Sequence, residues 1–574
     1  MKRQIWAGLL ALIMAVTLAS RSFAAEPATT VKSGNEPWWK HAVIYEIYPR
    51  SFADSNNDGT GDIRGITSKL DYLKGLGVDA LWLTPCYPSP QVDFGYDISD
   101  YCAIAPEYGT MADFDELVAE AKKRNIRIIM DLVMNHTSDK HPWFIESSSS
   151  KDNPKRDWYI WRDGVGDTTP PNNWTSIFGH SAWKFDAKTN QYYYHLFYPE
   201  QPDLNYRNPE VRKAMYDVAK FWLDRGVAGF RLDAIMALFE EIDLPDNPVV
   251  PSKNKFGDAN TEWIHNDRLP EVHDVLRELR KVVDSYPDDR VLIGETGGRD
   301  INDVSATYGK NLDEIQLPMN FFFAYINKLS PSEFRARIGE WDKNPAGGWP
   351  VYLFSNHDQI RHYVRYGDKV HNDDIAKLTA TMLLTLRGTP LLYYGEELGM
   401  ENNDPKTKEE VQDPIGKIGW PEEIGRDGER TPMQWNASDK AGFTTAAKAW
   451  LPIPESYKKY NVASEEADKN SILNFYKELI RLRRTEDPLI NGDYKAVDDQ
   501  NKDVLSYVRR GEKKSILVAL NMSPETKTVQ YDLKPFGINS NSAKTLLASP
   551  KGNNNASLSH LTLPPYGVYV GQVQ

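Results

Sequence analysis

Residues 126–133, with the sequence IRIIMDLV, form an apolar, isoleucine-rich run that ends near a polar segment. A run this short and this rich in β-branched residues is typical of a buried strand rather than a helix. It follows Phe114–Arg124, where apolar residues recur at helical spacing. The same alternation extends along the chain, with a helix at Ile66–Leu76 and further strands predicted at Ala42–Tyr48, Ala80–Leu83, Gly229–Asp233, Val291–Glu295, Val351–Phe354 and Pro390–Tyr394.

Alternation of strands and helices predicts an α/β fold with a parallel sheet, and apolar strands indicate that both of its faces are covered. Seven strand candidates, with room for an eighth, favour a (β/α)8 TIM barrel, whose catalytic residues lie at the carboxyl ends of the strands. A doubly wound open sheet is the alternative, and periodicity does not separate the two.

Two changes of composition divide the chain. Residues 135–205 are rich in Trp, Tyr, Asn and Pro, which predicts a loop-rich inserted domain, here called the B domain, after the third strand. From residue 492 onward, short apolar runs alternate with Asn, Ser, Gly and Pro, which predicts a C-terminal antiparallel β-sandwich over 492–574. The barrel then comprises residues 38–134 and 206–491.

The first residues of the 574-residue chain have the features of a signal peptide over 1–24. Lys2 and Arg3 precede an uncharged run, Ile5–Ala19, and small residues precede Ala25. The run is shorter than the ~20 residues of a transmembrane helix, so we expect cleavage rather than an anchor, and a periplasmic or secreted protein. The net charge of −13 argues against a nucleic-acid partner. We also expect the protein to be a monomer. Cys86 and Cys102 are the only cysteines, and a disulfide between them stays open.

Polar side chains gather where four of the predicted strands end. Arg231 and Asp233 lie two residues apart, so they share a face of their strand, and the guanidinium is expected to keep the carboxylate ionised, as a nucleophile requires. Glu295 has no neighbouring cation in the sequence, so it could stay protonated as a general acid. The alternative is a structural ion pair beside an exposed glutamate. The polar residues at these ends are Asp131, Asn135, His136, Arg231, Asp233, Glu295, Asn356, His357 and Asp358.

These segments resemble the α-amylase family of glycoside hydrolases, in its α-glucosidase and oligo-1,6-glucosidase branch. The similarity runs from about Trp38 to the C-terminus. The matching segments are DLVMNH at 131–136, GFRLDA at 229–234, GE at 294–295, SNHD at 355–358, QPDLN at 201–205, YEIYPRSF at 45–52, GYDISDY at 95–101 and RTPMQW at 430–435.

The resemblance implies a role for each matching residue. Asp233 corresponds to the nucleophile, Glu295 to the acid/base, and Asp358 to the third carboxylate, which holds two sugar hydroxyls. The reaction would be a double displacement with net retention, which needs carboxyl groups ~5–5.5 Å apart. The implied substrate-binding residues are the hydroxyl-binding His136 and His357, the stacking Tyr96, the nucleophile-orienting Arg231, and a pair, Asp97 and Arg430, that grips the non-reducing end and makes the enzyme exo-acting.

The residue after the nucleophile bears on linkage preference. In this branch, a small residue or Thr accompanies α-1,4 links and Val accompanies α-1,6 links, so Ala234 favours maltose-type oligosaccharides or disaccharides as substrates. A sucrose isomerase or trehalose synthase is the alternative, because such enzymes share the catalytic residues, although Gln359–Arg365 is more similar to the hydrolases. Catalytically inactive transporter subunits also resemble this family. The three carboxylates and the cleavable leader argue against that class.

A second site is predicted in the loop DSNNDGTGD, residues 54–62. Oxygen side chains at alternate positions suit a hard cation such as Ca²⁺, and the resemblance also implies calcium there. An EF-hand is excluded because its twelfth position would be Gly65. The alternative is a polar turn held by its own hydrogen bonds. No organic cofactor is predicted, and the expected calcium ligands are Asp54, Asn56, Asp58, Asp62 and the carbonyl of Thr60.

Overall fold

The computed structural model describes residues 36–166, 169–552 and 554–574, and the predicted signal peptide lies outside the described residues. Within these ranges, no helix has the length and apolarity needed to cross a membrane. The thiols of Cys86 and Cys102 are both free, the first buried and the second exposed, so the structure contains no bond between them.

Eight parallel strands form the central sheet. Their order is β6-β5-β4-β3-β2-β1-β8-β7, and the Cα atoms of β6 and β7 approach within 8 Å, which nearly closes the barrel. The pairing of β1 with β8 confirms the barrel and excludes the open sheet. The strands are β1 Ile44–Ile47, β2 Ala80–Leu83, β3 Arg127–Val133, β4 Gly229–Asp233, β5 Val291–Glu295, β6 Leu317–Met319, β7 Val351–Tyr352 and β8 Thr389–Tyr393.

Alternate strand residues point into the barrel and pack against one another, whereas their neighbours pack under the helices. Ile44, Trp82 and Ile129 belong to the inner cluster, and Tyr45 and Leu81 to the outer one. Burial on both sides explains the continuously apolar strands. The sixth strand escaped prediction because a proline lies at its centre, where the sequence is Leu-Pro-Met.

Helices surround the sheet. The helix expected at Ile66–Leu76 is split in two at Lys69, and the one expected at Phe114–Arg124 begins earlier, because Thr110 and Asp113 form a capping box. The main helices are Ile63–Ser68, Leu70–Leu76, Met111–Lys123, Pro209–Asp224, Val272–Asp284, Ile301–Ala306, Pro331–Asp342, Asn372–Thr385 and Ile472–Thr485. Shorter helices are Pro49–Phe52, Pro142–Ser147, His362–Arg365, Pro414–Gly419, Val462–Ala467 and Asp487–Ile490.

Two loop regions rise above the carboxyl ends of the strands. The B domain contains a three-stranded antiparallel sheet of Trp161–Arg162, Trp183–Asp186 and Gln191–Tyr194. The loop after β4 contains an antiparallel hairpin of Val249–Lys253 and Ala259–Thr261. Both regions cover the face where the strands place their polar ends.

The C-terminal domain is antiparallel, as predicted. Its main sheet has the order β9-β10-β11-β16-β13-β14, and the pair β12-β15 packs over one face of it. The strands are β9 Asp493–Val497, β10 Val504–Arg510, β11 Ser515–Asn521, β12 Lys527–Val529, β13 Ser542–Ser549, β14 Asn555–Ser557, β15 Leu561–Leu563 and β16 Val568–Val573. The other face of the main sheet shares its hydrophobic core with the barrel helices.

Candidate active site

A cavity of about 650 Å³ opens at the carboxyl ends of the barrel strands, beneath the B domain. It is lined by Asp233 at the end of β4, by Glu295 at the end of β5, and by residues of the loops that follow β2, β3, β4, β5, β7 and β8. The three predicted catalytic carboxylates all line it. Its other lining residues include Asp93, Tyr96, His136, Phe178, Ala234, Lys255, Asp267, Arg268, His357, Glu423 and Arg426.

Arg231 lies at the floor of the cavity and holds three carboxylates. Its Nη1 donates to Oδ1 of Asp233 over 2.7 Å and to both oxygens of Asp131 over 3.1 Å, while its Nη2 donates to Oε2 of Glu295 over 2.6 Å. Strand register produces this arrangement, because Asp131 on β3 lies opposite Arg231 on β4. One buried guanidinium therefore brings the nucleophile and the acid/base candidates close together.

The protonation of this cluster differs from the expectation drawn from Arg231 and Asp233 alone. Burial raises the pKa of Asp233 well above its ordinary value, and Glu295 and Asp131 raise it further, whereas Arg231 lowers it. Because the single positive charge is shared among three carboxyl groups, it does not outweigh burial. The cluster as a whole therefore retains a proton at a pH where isolated carboxyl groups are ionised.

Ala234 connects the two candidate catalytic groups, Asp233 and Glu295. It adopts a left-handed backbone conformation, with φ of 43°, directly after Asp233. In this conformation its N–H donates to Oε2 of Glu295 over 3.2 Å. The turn that ends β4 thus orients Glu295, whose side chain remains 26% exposed and open to the cavity.

His357 links Asp358 to the barrel interior. Its Nδ1 lies 2.6 Å from Glu46 and its Nε2 lies 3.0 Å from Asp358, and the ring of Tyr96 stacks on it at 5.4 Å between centroids. Burial alone would lower the pKa of His357, but the flanking carboxylates raise it to about 9. The histidine therefore carries a positive charge at neutral pH.

The Asp358 carboxylate has three cationic neighbours in the cavity. Burial opposes its ionisation, but His357, Arg426 and Arg430 together hold its pKa well below the usual range. Oδ1 accepts a hydrogen bond from Arg426 and another from Arg430, each over 2.9 Å. A permanently ionised carboxylate of this kind is a strong acceptor for sugar hydroxyl groups.

The predicted pair of Asp97 and Arg430 needs correction. The Asp97 carboxylate is fully buried and accepts hydrogen bonds from Ser89 and from the backbone N–H groups of Val92 and Asp93, so it holds the loop in shape. Arg430 is buried too, and it donates to Asp358 rather than to Asp97. Its position behind Asp358 makes it a supporting residue.

The acid–arginine pair that lines the cavity is instead Asp93 and Arg426, joined over 2.8 Å. Arg426 also donates through Nε to Asp413 over 2.7 Å, which fixes the guanidinium between Asp93 and Asp358. Sequence reasoning missed both members. Asp93 lies four residues before Asp97, and Arg426 lies four residues before Arg430, so the motifs indicated the right loops but the wrong side chains.

His136 also lines the cavity, and the amide nitrogen of Gln201 lies between it and Asp93. The Nε2 of His136 lies 3.1 Å from the carbonyl oxygen of Tyr96 and 3.1 Å from the amide nitrogen of Gln201. Burial lowers the pKa of His136 to about 3, so the ring is neutral. A neutral histidine beside the charged His357 provides the cavity with two different hydrogen-bonding groups.

The predicted calcium loop is held by its own hydrogen bonds. Both oxygens of Asp54 accept two bonds each, from the backbone of residues 56, 57 and 59 and from Thr444. Asp62 caps the helix Ile63–Ser68 and accepts from Ser55 and Gly65. In the described parts of the chain, no three His, Cys, Asp or Glu side chains are grouped to hold a metal. The acceptors of Asp54 are fully used, so this arrangement does not fit a cation, and calcium binding stays a prediction.

Two family models match consecutive parts of the chain. Residues 46–492 match the alpha amylase catalytic domain, and residues 494–570 match the C-terminal domain of maltogenic amylase. A probable alpha-glucosidase of Rhizobium meliloti is 40% identical over 89% of this chain and 94% of its own length. An oligo-1,6-glucosidase of Parageobacillus thermoglucosidasius is 42% identical over 85% of this chain and 91% of its own length.

Solved structures extend the comparison to enzymes with other products. The trehalulose synthase MutB from Pseudomonas mesoacidophila MX-45 superposes with a TM-score of 0.85 at 37% identity, covering 94% of this chain and all of that one. Since the catalytic-domain match spans most of the chain and the relatives align over nearly their whole length, the chain belongs to the α-amylase family of glycoside hydrolases.

Proposed function

We propose that the chain is a retaining, exo-acting α-glucosidase that releases terminal non-reducing glucose from maltose-type substrates. The observation that carries the proposal is the contact of Asp233 and Glu295 with the same guanidinium. Two carboxyl groups held this closely suit a double displacement, whereas an inverting enzyme needs room for a water molecule between them.

The chemistry assigns each carboxyl group one task. Glu295 protonates the glycosidic oxygen, and an oxygen of Asp233 attacks the anomeric carbon from the opposite face, forming a covalent β-glucosyl ester as the leaving sugar departs. Glu295, now ionised, takes a proton from water, which attacks the ester and releases α-glucose. Because Oδ1 of Asp233 is held by Arg231, Oδ2 is the attacking oxygen.

The exo character rests on Asp93, Arg426 and Asp358. Ion pairs join these three cavity-lining side chains, and we propose that they close the end of the cavity that receives the non-reducing sugar. A sugar bound there presents its hydroxyl groups to charged partners and leaves no passage for a further unit at its non-reducing end.

The direct test is the stereochemistry of the first product. Proton NMR of maltose hydrolysis should show the α-anomer of glucose first, followed by mutarotation, and Asp233→Asn should lower kcat roughly 10³–10⁵-fold because the nucleophile is lost. Asp217→Asn, on the exposed face of helix Pro209–Asp224, is the matched control and should retain activity. Initial release of β-glucose, or full activity of Asp233→Asn, would contradict the proposal.

A second candidate is transglucosylation or sucrose isomerisation, which uses the same covalent intermediate. It is favoured by the similarity to the trehalulose synthase MutB and to isomaltulose synthase from Klebsiella sp. LX3, the latter at a TM-score of 0.85 and 37% identity. The products distinguish the two functions. Incubation with sucrose yields glucose and fructose if water is the acceptor, and an isomeric disaccharide if the released fructose attacks the intermediate again.

For the loop of residues 54–62, the proposal of a structural Ca²⁺ requires Asp54 to exchange some of its amide hydrogen bonds for the ion. If it does, adding Ca²⁺ after chelation should raise Tm by a few degrees, and Asp58→Ala should abolish the rise. An unchanged Tm would leave the loop as a turn held by hydrogen bonds.

A further inference from the structure

The loop after β4 places Asp267, an acid that the proposed mechanism does not use, in the wall of the cavity. Its side chain is 32% exposed, whereas the neighbouring Asn266 is buried. Oδ1 of Asn266 accepts from Nδ2 of Asn247 over 3.0 Å, and its Nδ2 lies 3.1 Å from the hydroxyl of Tyr194 in the B domain. The backbone beside Asp267 is therefore anchored on two sides, while its carboxylate remains open to the cavity.

A chain of contacts places Asp267 beside the candidate acid/base. Oδ2 of Asp267 lies 3.1 Å from Nε of Arg268. Nη2 of Arg268 donates to the carbonyl oxygen of Thr296 over 2.6 Å, and Thr296 directly follows Glu295 in the chain. Because Glu295 would deliver its proton to the glycosidic oxygen, side chains joined to it in this way border the leaving group.

The order of the barrel strands separates this side from the pair proposed for the non-reducing end. Asp93 lies in the loop after β2 and Arg426 in the loop after β8, and β8, β1 and β2 are consecutive in the barrel. Asp267 follows β4 and Glu295 ends β5. In a barrel of eight strands, β4 lies across from β8 and β5 across from β1. The two groups of side chains therefore face each other across the cavity.

The turn after Glu295 is shaped to receive Arg268. Gly297 has φ of +52°, and a Cβ at this position would lie 3.3 Å from Nη2 of Arg268. Nε of Arg268 also lies 4.0 Å from Oδ2 of Asp303. The guanidinium thus keeps an acidic partner and its bond to the backbone when Asp267 is replaced, so the position of Glu295 does not depend on the Asp267 carboxylate.

An aromatic side chain of the same loop also lines the cavity. Trp263, four residues before Asp267, is half-buried and packs against the B-domain cluster that contains Tyr194 and Leu196. A sugar ring has an apolar C–H face and hydroxyl groups at its rim. An indole ring and a carboxylate in one wall match both of these parts, so this wall suits a sugar rather than an apolar leaving group.

We propose that Asp267 binds the sugar unit that leaves, with its carboxylate accepting hydrogen bonds from the hydroxyl groups of that sugar. This rests on the proposed α-glucosidase function and names the residue that recognises the leaving group. A sugar that attacks the glucosyl ester in place of water binds at the same position, because that step is the reverse of departure. The site therefore favours glucosides of a sugar over glucosides of a simple alcohol.

The test compares two substrates that both need the proton of Glu295. One is maltose, isomaltose or sucrose, whichever the wild type cleaves fastest; the other is methyl α-glucoside, whose methyl group offers no hydroxyl to Asp267. Asp267→Ala should lower kcat/KM for the disaccharide about 10-fold and leave that for methyl α-glucoside unchanged. Asp267→Asn should lower it less, because the amide oxygen still accepts a hydrogen bond. Asp243→Asn, an exposed change on the same loop, is the control and should have no effect.

Three results would contradict the proposal, and they differ in what they exclude. An equal loss on both substrates would show that Asp267 positions Glu295 instead of binding the leaving sugar. Unchanged kcat/KM for the disaccharide in Asp267→Ala would show that this carboxylate does not contact the sugar. A wild type that cleaves none of these glucosides would overturn the α-glucosidase function, and the role of Asp267 with it.

Discussion

The number of cationic groups around each carboxyl group differs from one part of the cavity to another, and this difference determines the pKa values there. Arg231 provides one positive charge for Asp131, Asp233 and Glu295, so it does not offset the burial that raises the pKa of Asp233. Asp358 shows the opposite balance, because three cationic groups surround one carboxylate. The cavity thus contains a protonatable carboxyl cluster and a permanently ionised carboxylate side by side.

Ala234 allows the linkage preference to be tested with isosteric substitutions. Ala234→Val should shift the ratio of kcat/KM from maltose towards isomaltose by about 10-fold, a change of about 1.4 kcal/mol, because it adds two apolar methyl groups to the cavity wall beside Glu295, where Thr would present a hydroxyl group to the sugar. Ala234→Thr is the matched control, since it is equally branched and equally strained at φ of 43° but should retain the preference for maltose. Equal ratios in the two variants would show that the polarity of the side chain at this position does not decide linkage.

His357 makes the free energy of unfolding of the protein decrease at alkaline pH. Its pKa is raised from 6.5 to about 9 in the folded protein, so its contribution is fully present below about pH 6.5 and is lost as the pH rises through 9. The difference corresponds to about 3 kcal/mol. Thermal unfolding from pH 6 to 10 should show a fall in Tm that is smaller in His357→Gln. Parallel pH profiles of the two proteins would disprove this assignment.

At the scale of elements, the junction of β4 and β5 controls the alignment of Arg231 with Glu295. Gly229 begins β4 with φ of +152°, and a Cβ there would lie 2.0 Å from the carbonyl oxygen of Val291. The two strands approach so closely because position 229 has no side chain. Their close pairing is what brings the ends of β4 and β5 to the same guanidinium.

Gly229→Ala should therefore destabilise the protein by about 3 kcal/mol, because the strands must move apart and the backbone is strained. Gly339→Ala is the control: it lies within helix Pro331–Asp342, no atom lies within 4 Å of its added Cβ, and it should stabilise by about 0.5–1 kcal/mol. Differential scanning calorimetry of both variants provides the comparison. An unchanged Tm for Gly229→Ala would contradict the role assigned to this close approach.

At the scale of the whole molecule, the barrel and the C-terminal sheet share one core. Tyr507 lies 2.5 Å from the hydroxyl of Thr385, and Arg509 donates to the carbonyl of Thr385 over 2.6 Å. Apolar residues of β11 and β16 pack in the same cluster as the barrel helices. The C-terminal domain therefore covers a barrel surface that would otherwise be an exposed apolar patch.

The two domains should consequently unfold in one transition. Calorimetry of the full chain is expected to show a single endotherm, and a chain ending at Asn491 should aggregate or lose at least 10 °C in Tm, a loss of the order of 10 kcal/mol for a molecule of this size. Two separate endotherms, or a truncated chain with the full Tm, would show that the shared core contributes little.

Much of the architecture can be predicted from the local pattern of apolar and polar residues. Periodicity predicts the exact bounds of β2, β4 and β5. Composition predicts the inserted domain after β3 and the change to antiparallel strands near residue 492. Strand ends could be located because apolar runs stop where polar residues begin. For the same reason, Asp233, Glu295 and Asp358 could be identified as neighbours before any distance was known.

Other features depend on contacts between distant parts of the chain. The ion pair of Asp93 with Arg426 joins residues 333 positions apart, and the ion pair of Lys255 with Glu423 joins residues 168 positions apart. The pKa of Asp233 is raised chiefly by burial and further by Asp131, which lies 102 positions earlier in the chain. The sequence determined the strands and the residues at their ends, because periodicity is local. The tertiary structure alone decided that the sheet closes into a barrel and which loop side chains enclose the cavity, because strand pairing, loop packing and burial depend on the whole fold.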